Sequence, residues 1–539
     1  MSSEPGSDSD SILESPPVKL QETDKAGQYL LTAEDADLLQ EILKHKDQPS
    51  EKGRFKFQEL TFTRQPSTFH NLESTSPQFH GFFVLFWMGV SLMLLKLAAN
   101  NWRVYGSIWG KNEIVRLMTD KDVLVLGVTD LVLCWSTGFC LLLQRAIRNR
   151  YLRWNGLGWL IQNIWQTMYL GAVTWWSYHR DWPWTHTVFI VLHCLAMLMK
   201  QHSYSAYNGY WYSSAIHKDL NAEITDLKKN DSRQRSSSLQ KYSGSQQTDQ
   251  ILSLVETLGS GVPLESNQVQ SLRELIEQEI NVISEGLKGR CSNTYNHYPR
   301  NLTVRNFADF ISLPTLVYEL EYPRTEKIDW FYVAEKTAAT FGIIVVMIAV
   351  SQSWIYPVVM YTVQMKEAGL TAQQRLQEFP WVLSDLLFPF MMEYLLAFYV
   401  IWECVLNALA EITMFGDRGF YSDWWNSVSW DQFARDWNRP VHNFLFRHVY
   451  QNSISAYRLS RVSASLITFL LSACVHELLM LCIFRRLRGY LLIMQMSQLP
   501  LVALSRTRLM RGRRLLGNIF FWLGIFTGPS LLCSLYLII

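Results

Sequence analysis

Nine stretches of the chain stay apolar for about the 20 residues that a membrane helix needs. They lie near 80–99, 122–144, 157–178, 183–200, 337–360, 380–410, 463–485, 487–505 and 515–537. This pattern predicts an all-α polytopic membrane protein with about nine spans. The sixth block is too long for one perpendicular crossing, so it should tilt, kink near Pro389 or continue past the interface. Two other stretches are helical but amphipathic. At 32–46, Thr32 and Asp35 form a capping-box-like start before Leu38, Leu39, Ile42 and Leu43. At 266–287, Leu272, Leu275, Ile276, Ile280 and Ile283 share one face.

The polar blocks set the organisation. Residues 1–79 are expected to form a cytosolic, mostly disordered tail around the short 32–46 helix. Residues 80–539 form the membrane domain, interrupted by a cytosolic insertion at 216–300 with a Ser/Gln-rich flexible linker at 223–263. The tail lacks the basic start and short apolar core of a cleavable signal, so the first internal span must direct insertion. Loop charge gives the orientation. Arg145, Arg148, Arg150 and Arg153 follow the second span, and Arg506, Arg508, Arg511, Arg513 and Arg514 follow the eighth, which places both loops and the N-terminus in the cytosol. The turn with Arg485, Arg486 and Arg488 would then face the lumen, against this bias. The sequons at Asn230 and Asn301 are then cytosolic and unused.

Composition narrows the class. Charged residues are 18% of the 539, below the roughly 25% usual for soluble domains, which excludes a purely soluble protein. A net charge of +2 carries no nucleic-acid footprint. The eight cysteines contain no CxxC pair and mostly fall in apolar blocks, so neither a disulfide framework nor a metal site is expected.

Chemistry enters with His476, near the middle of the seventh apolar block. An ionisable side chain at that depth is costly, and it faces a bundle interior or a wet cavity; the structural alternative is a neutral histidine bonded to a neighbouring helix. Ser472 lies one turn before it on the same face, whereas Cys474 points elsewhere, which argues against a Cys–His nucleophile. Of the other polar residues within spans, Asp130, His186, His193, Asp385, Glu393 and Glu403, most are expected to be structural, with Asp385 and Glu393 the better functional candidates. Between the sixth and seventh spans, residues 420–450 combine aromatic side chains with Asn, Asp and Arg. That density suits an interfacial element lining a ligand site better than a plain aromatic belt.

Within that segment FYSDWWN, with Phe420, Tyr421, Asp423, Trp424, Trp425 and Asn426, resembles the FYxDWWN motif of acyl-CoA-dependent enzymes in the membrane-bound O-acyltransferase superfamily. The spacing onward to Trp437, Asn438 and His476 resembles the sterol O-acyltransferases, as does YPRTEKIDWFY from Tyr322. KQHSYSAYNGY, with His202, is similar to that family's His-Ser-Tyr/Phe motif. The resemblance implies a bundle of the membrane-bound O-acyltransferase type. It also implies His476 as catalytic base, Asn438 as its polar partner and Trp437 beside the reacting centre. Acyl-CoA contacts are implied for Tyr450, Arg461 and Ser472, and for Trp425 and Asn426 of the motif, while His202 is a family marker. Relatives carry Lys where this chain has Arg461, and the two bind phosphate differently.

By the same resemblance the substrates are a long-chain acyl-CoA and a membrane sterol, with acyl-CoA as co-substrate and no cofactor. The setting is the endoplasmic reticulum membrane, and the assembly a homodimer or a dimer of dimers. Diacylglycerol O-acyltransferases share the FYxDWWN motif and the membrane histidine, but their pattern lacks the residue that His202 supplies. A transporter using His476, Glu393 and Asp385 as a path is the alternative of another class; no inverted repeat accompanies it.

Overall fold

The computed structural model describes residues 18–22, 28–33, 60–69, 80–108, 113–119, 122–231, 264–265, 297–508, 510 and 512–539. Its helices are α1 (His80–Tyr105), α2 (Glu113–Thr119), α3 (Val123–Ser136), α4 (Phe139–Arg148), α5 (Trp159–His179), α6 (Trp184–Asp231) and α7 (Val304–Ser312). Then come α8 (Trp330–Val350), α9 (Tyr356–Glu367), α10 (Ala372–Phe398), α11 (Leu406–Ile412) and α12 (Trp430–Asp436). The last are α13 (Arg439–Leu445), α14 (Asn452–Ser455), α15 (Arg461–Phe484), α16 (Tyr490–Met496), α17 (Gln498–Ser505) and α18 (Arg514–Ile538). The sheet among the described residues is small and antiparallel, with β1 (Val18–Glu22), β2 (Gln28–Ala33) and β3 (Leu264–Glu265) in that order.

Among the described residues, five helical runs are long and apolar enough to cross a bilayer: 123–148, 330–367, 372–412, 461–484 and 514–538. The other four apolar blocks lie in α1, α5, α6 and the α16–α17 pair. The eighth block, expected as one span, is two short helices that meet at Ser497. The long sixth block changes helical pitch at a π turn, Tyr399–Val405, ten residues beyond Pro389. Thr371 and Gln374 start it with a reciprocal capping box. Asp329 starts α8 by accepting the Phe331 and Tyr332 backbone N–H groups, and Ser460 starts α15 by accepting that of Ser463.

Thr32 and Ala33 end strand β2 instead of starting a helix, and the rest of the expected 32–46 helix lies outside the described residues. So do the expected 266–287 helix and the linker beyond Asp231, up to which α6 is helical. Of the tail, residues 60–69 pack on the bundle. The Leu60 N–H bonds Glu319 at 2.8 Å, and Gln65 pairs with Asp417 in a parallel bridge.

The core that positions the site is aromatic. Trp424, Tyr421, Phe398 and Phe521 are each no more than 3% exposed and bring together the 420–426 loop, α10 and α18. Rings of this size dominate core energetics, and tilted or offset pairs add to the area term. Gly524 permits the approach of α18, since a Cβ there would lie 2.3 Å from the Trp430 ring.

Candidate active site

Helix α15 carries His476 fifteen residues after Arg461, roughly 22 Å at 1.5 Å per residue. The His476 ring presents accessible surface. Its Nδ1 lies 2.7 Å from the Ser472 carbonyl oxygen, one turn back. A carbonyl can only accept, so Nδ1 carries the proton, and in the neutral ring Nε2 is the lone-pair nitrogen. The neighbour Glu477 lies on the packed side, 3% exposed. Its carboxylate accepts the Gly489 N–H at 2.6 Å, the Leu492 N–H at 3.1 Å and the Tyr536 hydroxyl at 3.3 Å. These bonds fix the rotation of α15 and hence the side to which His476 turns.

The segment after the aromatic loop supplies a second row. Asn438 caps α13, its Oδ1 accepting the Val441 N–H at 3.2 Å, which directs the amide NH2 away from the cap. Four residues on, His442 stacks on Phe446, with centroids 6.1 Å apart, and Phe446 stacks on Tyr450 at 5.6 Å. Asn438, His442, Phe446 and Tyr450 thus follow i, i+4 spacing along α13 and the π turn Phe446–Gln451, which packs against α15. Burial lowers the pKa of His442, and the Arg435 and Arg439 charges lower it further, so this ring is neutral near pH 7. The sequence reading missed His442, although its spacing from Asn438 was visible.

The opposite face of the same segment is a joint. His448 Nε2 lies 2.9 Å from the Ser203 hydroxyl, which also accepts the Tyr318 N–H at 2.8 Å. Arg447 pairs with Glu319 at 2.7 Å. His202 meets His448 edge-on, centroids 5.2 Å apart, and its Nδ1 lies 3.4 Å from Gln166 Oε1. The His202–Tyr204 motif therefore fastens α6 to the segment that carries Tyr450.

The FYSDWWN residues mostly build the loop itself. Trp424 is packed, and Trp437 stacks on Tyr394 with centroids 4.8 Å apart and meets Trp424 edge-on at the same distance. The Trp425 carbonyl accepts from Asn518 at 3.0 Å and from Trp522 at 3.1 Å, both on α18. Asn426 bonds Asp423 at 3.2 Å, and both side chains are exposed. Phe420 is buried with its carbonyl on the Arg439 N–H at 3.0 Å. Arg461 is exposed at the start of α15.

Asp385 is exposed, and the other polar groups in the spans have local partners. Asp130 bonds His193 at 2.5 Å, Glu393 accepts the Ser351 hydroxyl at 2.8 Å, and Glu403 pairs with Lys336 at 2.7 Å. Asp130, Cys134 and His193 bring their donor atoms within 4.8 Å of one another, the one such trio among the described residues. The short Asp130–His193 bond already uses two of its members.

Five helical runs apolar enough to cross a bilayer, one of them carrying a histidine whose Nδ1 bonds a backbone carbonyl, define a multi-span helical membrane protein. The profile of the MBOAT, membrane-bound O-acyltransferase, family matches residues 170–538. The chain belongs to this family. It is 36% identical to Sterol O-acyltransferase 2 of Candida albicans, over 91% of this chain and 80% of that one. It is likewise 36% identical to Probable sterol O-acyltransferase 1 of Schizosaccharomyces pombe, over 86% of this chain and 82% of that one. Diacylglycerol O-acyltransferase 1 of Dictyostelium discoideum matches 44% of this chain and 37% of its own length, at 35% identity.

Proposed function

We propose that this protein transfers a long-chain acyl group from acyl-CoA to the 3-hydroxyl of a membrane sterol, giving steryl ester and CoA. The observation that carries the reading is the His476 Nδ1–H bond to Ser472. It leaves Nε2 as the base, on accessible surface of a membrane helix in a chain whose sterol O-acyltransferase relatives match over most of its length.

The thioester is already activated, so the chain must supply proximity, a base and relief of charge on the carbonyl oxygen. His476 Nε2 takes the hydroxyl proton as the sterol oxygen attacks the thioester carbon. The Asn438 amide N–H stabilises the oxyanion. The C–S bond then breaks, and the imidazolium returns its proton to the departing thiolate, which leaves as CoA thiol. No step calls for a metal or another cofactor. Arg461 and Tyr450 hold the charged end of acyl-CoA, with Ser472 along the way, and the 22 Å between Arg461 and His476 suits a pantetheine arm. Trp437, in the aromatic cluster, acts by shaping the wall of the site. Trp425 and Asn426 serve acyl-CoA through the loop they build.

The same reading places the protein in the endoplasmic reticulum membrane with a cytosolic N-terminus and as a homodimer or dimer of dimers. The arginine-rich loops at 145–153 and 506–514 support the orientation. Steryl-ester synthesis by the purified protein from labelled acyl-CoA tests the activity. Product that depends on His476 supports it, and acyl-CoA left intact in the presence of sterol contradicts it.

A further inference from the structure

Glu403 lies on the π turn Tyr399–Val405, 1% exposed. Its two oxygens accept from Lys336 Nζ at 2.7 Å, the Ser67 hydroxyl at 2.5 Å, the Tyr421 hydroxyl at 2.8 Å and Asn407 Nδ2 at 3.3 Å. Three of these donors converge on Oε2, and Lys336 alone takes Oε1. They come from four places: α8, the segment before the first span, the FYSDWWN loop and α11.

The segment itself, Leu60–Phe69, runs along that loop. The Gln65 N–H bonds the Gly416 carbonyl at 3.1 Å, and the Gln65 carbonyl accepts the Arg418 N–H at 3.0 Å. Gln65 Nε2 reaches Asp417 at 2.6 Å, passing where a side chain on Gly419 would collide with it. The Thr68 hydroxyl donates to the Tyr421 carbonyl at 3.0 Å. Phe69 stacks on Trp425 with centroids 5.4 Å apart and packs against Tyr421 and Tyr399 at 6.0 and 5.6 Å. Backbone, hydroxyl and ring contacts thus converge on Gly416–Trp425, and Glu403 ties both strands of this junction to the bundle.

We propose that Leu60–Phe69 and Glu403 form a clamp that positions the FYSDWWN loop for acyl-CoA, with Glu403, Ser67 and Phe69 as positioning residues that touch no reacting atom. The proposal rests on the reading above that this loop serves acyl-CoA. A loop held by one aromatic stack and one carboxylate with four donors keeps a single geometry, which lowers the ordering cost of binding. Release of the clamp loosens the loop while the Trp424, Phe398 and Phe521 core remains.

The test uses the full-length purified protein with Ser67→Ala/Phe69→Ala, and Phe69→Tyr as the conservative variant that keeps the stack. Two quantities are read: hydrogen exchange of the backbone amides of 420–427, and KM and kcat with oleoyl-CoA at saturating sterol. The clamp predicts faster exchange in 420–427 and a KM raised about five-fold or more. It also predicts kcat within two-fold, thermal stability close to wild type, and wild-type behaviour for Phe69→Tyr. Unchanged exchange overturns the clamp. Faster exchange at unchanged KM overturns its role toward acyl-CoA, as does a fall in kcat and thermal stability together at constant KM. A wild-type protein that makes no steryl ester refutes the functional reading instead, and the exchange measurement still decides whether the loop is clamped. If the double variant does not fold, Tyr421→Phe, which removes only the hydroxyl bonded to Glu403, gives the same two readings.

Discussion

His476 donates its Nδ1 proton to the carbonyl oxygen of Ser472 at 2.7 Å. This bond within one helix does what a second carboxylate does in other acid–base sites, where a partner on one ring nitrogen selects the tautomer. The partner is backbone, so no side-chain substitution at Ser472 removes it. Ser472→Ala is therefore expected to leave the base in place and to change binding more than chemistry. A kcat within about ten-fold of wild type, with a larger change in KM for acyl-CoA, checks this.

Asn438 has an observed role and a proposed one, which substitution separates. Its Oδ1 caps α13 at Val441, and its amide N–H is assigned to the oxyanion. Asn438→Asp keeps a good cap but loses the donor, so stability should persist while kcat falls by about 10²–10³-fold, as for loss of an oxyanion donor. Asn438→Ala should lose the same activity and in addition about 1 kcal/mol of stability. Thermal melts beside initial rates distinguish the two.

Lys336 and Glu403 are an ion pair with side chains 10% and 1% exposed. Removing one partner of a buried pair leaves an uncompensated charge and costs about 3–5 kcal/mol. Lys336→Met is expected to melt well below wild type. Lys336→Met/Glu403→Gln should recover part of the loss, because the remaining amide is neutral and still accepts from Tyr421. A double-mutant cycle in melting temperature measures the coupling.

Acidification should destabilise the joint at Ser203. Burial, with His202 and Arg447 adjacent, holds His448 well below the ordinary histidine value, so the folded ring stays neutral. In the unfolded chain it titrates near 6.5. Below that pH the unfolded state binds the extra proton, and stability falls as pH drops toward the folded value. Melting temperatures at pH 7.5 and 5.5 are expected to differ less for His448→Gln than for wild type.

The sequence made five long apolar helices, and the place of His476 on one of them, legible for a physical reason. Apolar runs near 20 residues and one ionisable group inside such a run are local signals that need no partner to be seen. The row Asn438, His442, Phe446 and Tyr450 was also local, but its aromatic surroundings read as one composition-rich segment and hid His442. What stayed hidden is long-range. Glu403 and Ser67 are 336 positions apart and Arg447 and Glu319 are 128 apart, so no periodicity joins them. The polar composition of 1–79 suggested a tail, yet 60–69 is held by backbone bonds and by Phe62 and Phe69, whose partners lie near 322 and 425. The long 372–412 helix was legible as too long, but its π turn at 399–405 was not, because a change of pitch leaves no apolar signature.

His476 Nε2 is proposed to remove the sterol hydroxyl proton. The direct measurement is transfer from radiolabelled oleoyl-CoA by the detergent-solubilised protein, offered a sterol and diacylglycerol in parallel, for wild type and His476→Ala. Labelled steryl ester is expected from wild type alone, with the variant lower by about 10²–10⁴-fold or more while it still binds acyl-CoA and elutes as a folded species. Steryl ester formed equally by the variant would contradict the assignment of the base, and triacylglycerol in place of steryl ester would contradict the choice of acceptor.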